Sequence, residues 1–149
     1  ILLNFPRFGK MKGMGQIITY SIRDESLHVE AMTKLFREFI KENIDLWTDD
    51  FKKVIYQACR DMVSLEDRFL DLVFEVGDIE GLTKKEMREY IRYIADRRLL
   101  QLGLKTNYKI KNNPLIWLDD VLGVEHQNFF EGRSTSYMKA GLRGDLEII

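Results

Sequence analysis

From Ile18 to Phe39 the chain repeats a spacing of three and four, through Ile18, Ser21, Glu25, His28, Met32, Leu35 and Phe39. Residues so spaced share one face of a helix, where each residue advances by about 100°. A helix of this length draws most of its stability from a covered apolar face rather than from propensity. The pattern therefore points to a fold of packed helices. Five of the stripe positions are small or apolar, as a core-facing surface should be. The other two are Glu25 and His28, within Glu25-Ser26-Leu27-His28, and the same period expects both to reach inward.

Two prolines in 149 residues leave room for more helices of this kind. The first helix is expected from Gly13 or Gly15 to Asn43, with Pro6 and Gly9 marking the connection before it. A second opens at Thr48, an N-cap followed by Asp49 and Asp50 at the positive end of the helix dipole. Its stripe is Phe51, Ile55, Ala58, Met62, Leu65, Phe69, Leu72 and Val76, and Gly77 ends it. A third opens on a capping box, Thr83-Lys84-Lys85-Glu86, and runs to Gly103. Short connections between long helices imply antiparallel neighbours in a bundle. No segment alternates with period two, so the class is all-α with little or no sheet. Pro114, in Asn113-Pro114-Leu115-Ile116-Trp117-Leu118, suits the first turn of one short further helix. Beyond it, residues 123–149 are dotted with Gly, Ser and charge, and read as a flexible tail after a helical portion spanning 1–122. The start, Ile1-Leu2-Leu3-Asn4-Phe5, is apolar and carries no initiator methionine. It reads as a cut inside an element, with the chain the C-terminal part of something longer.

A formal charge of −1 argues against a general nucleic-acid or membrane-surface binder, either of which would carry a basic excess. No apolar run approaches a membrane span, and no signal peptide is recognisable. The single cysteine, Cys59, allows no internal disulfide and fits a reducing, cytoplasmic setting. Its expected role is packing as a small hydrophobe.

A charged carboxylate buried without a partner is costly, so it neutralises or finds a cation. An inward Glu-x-x-His pair is the ligand unit of dimetal carboxylate bundles, which need a second such pair and a glutamate from each of two more helices. Glu66 and Glu75 lie off the second stripe, Glu86 has a capping role and Glu30 faces solvent, so none of them completes such a set. From spacing alone the pair is either half a metal site or a hydrogen-bonded core pair. His126 is expected to be solvated, and Ser134, Thr135 and Ser136 have no base placed beside them. Phe129, Phe130 and Tyr137 read as anchors onto the body or a partner.

Ser21-Ile22-Arg23-Asp24-Glu25-Ser26-Leu27-His28 resembles the second-half metal motif, Arg-Asp-Glu-x-x-His, of the small, radical-generating subunit of class I ribonucleotide reductase. The resemblance continues in order through Gly77-Asp78-Ile79-Glu80-Gly81-Leu82, Tyr93-Ile94-Ala95-Asp96-Arg97-Arg98-Leu99 with Leu102-Gly103, and Asn113-Pro114-Leu115-Ile116-Trp117. It ends with Phe129-Phe130-Glu131-Gly132-Arg133-Ser134-Thr135-Ser136-Tyr137. It implies a ferritin-like helical bundle, usually homodimeric, that uses O₂ and a dinuclear metal centre to make an oxidant passed to the large catalytic subunit. Two irons, iron with manganese, or two manganese ions all suit hard oxygen ligands and an imidazole.

By the same resemblance, Glu25 and His28 are ligands of the second metal ion. Asp24 matches an aspartate of the radical-transfer route; a carboxylate there can hold a ligating imidazole's other N–H. Tyr137 matches a tail tyrosine oxidised transiently at the subunit boundary, and Glu131 a glutamate assisting that step. Leu146 to Ile149 stand where the family's terminal peptide docks into the large subunit. The first Glu-x-x-His motif, the radical-bearing residue and the remaining ligands would lie upstream of Ile1. Chain 1–149 would then carry the metal-2 half-site and radical exit only, would be inactive alone, and would leave apolar faces uncovered. Two other readings are a helical interaction module without metal chemistry and a different ferritin-like dimetal oxidase; the block ending at Tyr137 argues against the last.

Overall fold

A computed structural model describes residues 1–121 of the chain. Four helices organise them: α1 (Asn4–Arg7), α2 (Lys12–Glu42), α3 (Asp49–Val73) and α4 (Lys84–Gln101), with a 3₁₀ turn at Ile44–Leu46 between α2 and α3. Among the described residues there is no strand, only an isolated bridge between Ile79 and Leu82 that closes a turn. All of these elements lie in one unit, Ile1–Ile116. Residues 117–121, beyond that unit, are helical. The Asn113 side-chain oxygen accepts from the Leu115 N–H at 2.8 Å, and the helix opens only at Ile116, so Pro114 stands two residues ahead of it rather than in the first turn that its sequence predicts.

The caps explain where the helices begin. Thr48 Oγ1 accepts the Phe51 N–H at 3.2 Å, and Asp49 and Asp50 occupy the first turn of α3. At α4 both halves of the expected capping box form: the Glu86 N–H donates to Thr83 Oγ1 and the Thr83 N–H to Glu86 Oε2. α2 has no side-chain cap, its leading residue Met11 being left-handed at φ 48°. Two expectations shift. α3 stops at Val73, a turn before Gly77, and Pro6 lies inside α1 rather than in a bare connection.

α3 and α4 pack as an antiparallel pair, tied by charges whose numbers rise on one helix as they fall on the other. Arg92 donates to both Asp67 oxygens, at 3.1 and 2.6 Å, and Arg88 to Asp71 at 2.7 Å. Asp67 pushes the Arg92 guanidinium above its usual range, so that pair stays ionised. The apolar side chains buried in and around this pair are Val63, Leu70 and Phe74 on and just after α3, Met87 and Leu99 on α4, and Leu82, Leu104 and Leu115 in the connections.

The N-terminal segment fastens α2 to the turn before α4. The buried Asn4 amide donates to the Glu80 carbonyl at 2.8 Å, and Lys10 pairs with Glu80 at 2.7 Å. Close approach demands glycine twice here: a Cβ on Gly15 would stand 2.3 Å from Pro6 Cγ, and one on Gly81, at φ +69°, 2.4 Å from Phe8 Cζ.

The stripes themselves require a correction. Glu25 and His28 do not reach into a core of the described residues, and Met32, Leu35 and Phe39 are exposed as well. On α3, Met62, Leu65, Phe69 and Leu72 are likewise exposed, while the helix buries Val63 and Leu70 and half-buries Tyr56, Cys59 and Asp67. The reason is geometric. α3 carries two apolar faces, and α4 covers one of them; α2 packs on α1 and the 3₁₀ turn near its ends. Period identifies faces that want cover, and among the described residues nothing covers the longer ones.

Candidate metal half-site

α2 places its three sequence-predicted site residues on the open stretch between its anchored ends. Helical geometry brings Glu25 Oε2 to 3.5 Å from His28 Nδ1, with the two side chains 70% and 71% exposed. Between them in sequence, Ser26 Oγ donates to the Ile22 carbonyl at 2.7 Å and keeps its hydroxyl on the helix backbone. Asp24 is exposed, and it makes no hydrogen bond to His28. Glu30 is occupied by Lys34 at 2.6 Å, on the solvent side as its period predicts.

A carboxylate and an imidazole one turn apart are a sound donor set for a hard or borderline divalent metal. They are also only two donors. Among the described residues no group of three His, Cys, Asp or Glu comes together. Glu66 and Glu75 are exposed and join no such group, and Glu86 is held by Thr83, whose hydroxyl and N–H keep its carboxyl below the usual carboxylate range. Glu25 and His28 thus fit one side of a metal centre and do not form one by themselves. Cys59 is half-buried, and burial pushes its thiol up, which suits packing rather than ligation. Glu131 and Tyr137, with His126 and the Ser134–Ser136 run, lie outside the described residues.

One carboxylate in this structure was not singled out for chemistry from the sequence. Asp96 is 2% exposed and accepts three backbone N–H groups: Asn107 at 2.7 Å, Tyr108 at 2.9 Å and Ile110 at 3.0 Å. Tyr56 adds a fourth tie, its hydroxyl accepting the Lys105 N–H at 2.8 Å. Together they pin the 104–111 loop to α3 and α4. The available signal was register: Asp96 stands one turn before Leu99, on the buried side of α4.

A long helix presenting Glu-x-x-His and a capped antiparallel helix pair are parts from which a ferritin-like helical bundle is built. The family model described as ribonucleotide reductase, small chain, matches residues 1–114, and the chain belongs to that family. It is 43% identical over 147 residues to a probable ribonucleoside-diphosphate reductase small subunit of Invertebrate iridescent virus 3, covering 97% of this chain and 39% of that protein. The ribonucleoside-diphosphate reductase subunit beta of Chlamydia pneumoniae is 34% identical over 142 residues, covering 95% of this chain and 40% of that one. The solved ribonucleotide reductase R2 subunit from Clostridium botulinum superposes with a TM-score of 0.75 at 29% identity, over 79% of this chain and 37% of the other. The chain thus spans about two fifths of the length of these relatives.

Proposed function

We propose that this chain serves as the C-terminal portion of a ribonucleoside-diphosphate reductase small subunit, delivering an oxidising equivalent to a large catalytic subunit for deoxyribonucleotide synthesis. The observation that carries the reading is the Arg23-Asp24-Glu25-x-x-His28 segment, set on an uncovered helix face with the glutamate and histidine heads 3.5 Å apart. Glu25 and His28 hold one metal of a dinuclear centre, of iron, manganese or both, whose other ligands come from outside these residues. When bound, that centre supplies the chemistry with O₂ that creates the oxidant.

The remaining roles belong to this chain's own side chains. Asp24 orients a ligating imidazole by accepting its free N–H. In residues 123–149, the tail after the helical portion 1–122, Tyr137 carries the oxidising equivalent across the subunit boundary. Glu131 takes the associated proton. The apolar faces left open on α2 and α3 bury against the other helices of a complete bundle, in a homodimer. No helix among the described residues is long and apolar enough to cross a membrane, and the reading takes the cytoplasm as the setting.

A chimera tests this directly. The N-terminal three fifths of the iridescent virus relative, joined to this chain, is loaded anaerobically with Fe(II) or Mn(II) and its metal content measured. Two metals per chimera are expected, none in the 149-residue chain alone, and a loss in Glu25→Ala and His28→Ala. Full loading of the double variant would return both residues to the surface of an interaction module.

A further inference from the structure

Beside the C-terminal half of α4, the 104–111 loop borders an open groove of about 750 Å³, inside the range of roughly 300–1,000 Å³ that small-molecule sites occupy. It shares no residue with the Glu25–His28 edge. Leu100, Ile110 and the Tyr93 ring give it apolar surface, while Arg97, Lys109 and Lys111 bring three cations to its lining. The guanidinium of Arg97 lies over the Tyr93 ring at 5.6 Å. Asp96 is the lining's one carboxylate, and both its oxygens are taken by backbone N–H groups. Neither lysine makes an ion pair among the described residues.

Lys109 adds a second, independent observation. Its backbone is left-handed, at φ 60°, a conformation that residues with a Cβ rarely adopt. Asp96 enforces it from both sides, by accepting the N–H groups of Tyr108 and Ile110. Glycine or asparagine would take this turn at lower cost. The buried carboxylate thus fixes the backbone from which the exposed Lys109 side chain projects, and such strained positions concentrate at functional sites.

We propose that this pocket binds an organic phosphate. The phosphate seats on Lys109, Lys111 and Arg97, whose fork suits a doubly charged oxyanion. The rest of the ligand lies on Leu100, Ile110 and Tyr93. An inorganic ion would use the cations and leave the apolar walls bare, so the lining favours a ligand with a body.

Calorimetric titration of the full 149-residue chain with AMP, adenosine and inorganic phosphate tests the assignment. AMP is expected to bind about tenfold or more tighter than either fragment, and to weaken as salt is raised. Lys109→Asn is expected to weaken AMP about tenfold while leaving the melting temperature unchanged or raised, because asparagine accepts the left-handed backbone. Lys111→Gln, which does not touch that turn, reports on the charge alone and is expected to weaken AMP as well. Adenosine or inorganic phosphate binding as tightly as AMP would overturn the proposal. So would lysine variants that bind like the parent, or an acidic peptide that binds where AMP does not.

Discussion

Asp96 and Glu25 are both carboxylates on long helices, and the chain treats them in opposite ways. Asp96 is buried, with three N–H groups donating to it, and holds a loop against the α3–α4 pair. Glu25 stands 70% exposed with a histidine for company, on a helix whose middle touches little else. A carboxylate with all its hydrogen bonds made inside the chain is spent on structure. One left with open oxygens on an uncovered face is available for a ligand. The difference between the α3–α4 region and the middle of α2 is therefore one of satisfaction, and stability and function should separate along it.

Substitution should show the separation most strongly at Asp96. Asp96→Ala strands three backbone donors, and denaturant unfolding should register a loss of about 3 kcal/mol or more. Should it cost no more than Glu25→Ala, the contrast between the two regions collapses. Next comes the packing of the same pair: Leu70 is 1% exposed, and Leu70→Ala should cost about 2–5 kcal/mol. Met62→Ala, on the uncovered face of the same helix, should cost less than about 1 kcal/mol.

Capping should give a smaller effect, and one that depends on pH. Thr83→Ala removes the box at the start of α4 and should cost about 1 kcal/mol near neutrality. Glu86 is held below its ordinary value in the folded state by Thr83, so its carboxylate stabilises above the unfolded value. That contribution is lost as pH falls through the folded value. Thr83→Ala should therefore flatten the acid limb of stability against pH, and an unchanged limb would dissociate Glu86 from the cap.

The smallest effect on stability should fall on the candidate site. Glu25→Ala and His28→Ala should each move the unfolding midpoint of this chain by less than about 0.5 kcal/mol, as exposed substitutions do. The same variants should abolish metal loading in the completed bundle. A large stability loss in the isolated chain would mean that these residues are structural after all.

Much of this architecture is legible in the residues. The three long helices, the Thr48 cap and the Thr83–Glu86 box all derive from local rules, because caps and periodicity act over a few residues and need no distant partner. Helix ends were less legible: α3 stops at Val73 rather than Gly77, with the buried Phe74 as its C-cap. The Glu25–His28 pair was also legible, being a matter of two residues on one turn. Its surroundings were not, because the side a stripe presents says nothing about which segment covers it.

By itself the sequence determined the helices, their caps and the adjacency of a carboxylate and an imidazole on α2, all consequences of short-range geometry. Tertiary structure alone decided which of two apolar faces α3 buries, because that choice belongs to α4. It also decided that Asp96 is the carboxylate to be consumed by the fold. Three N–H groups from a loop more than ten residues further along the chain converge on it, and no local pattern encodes that meeting.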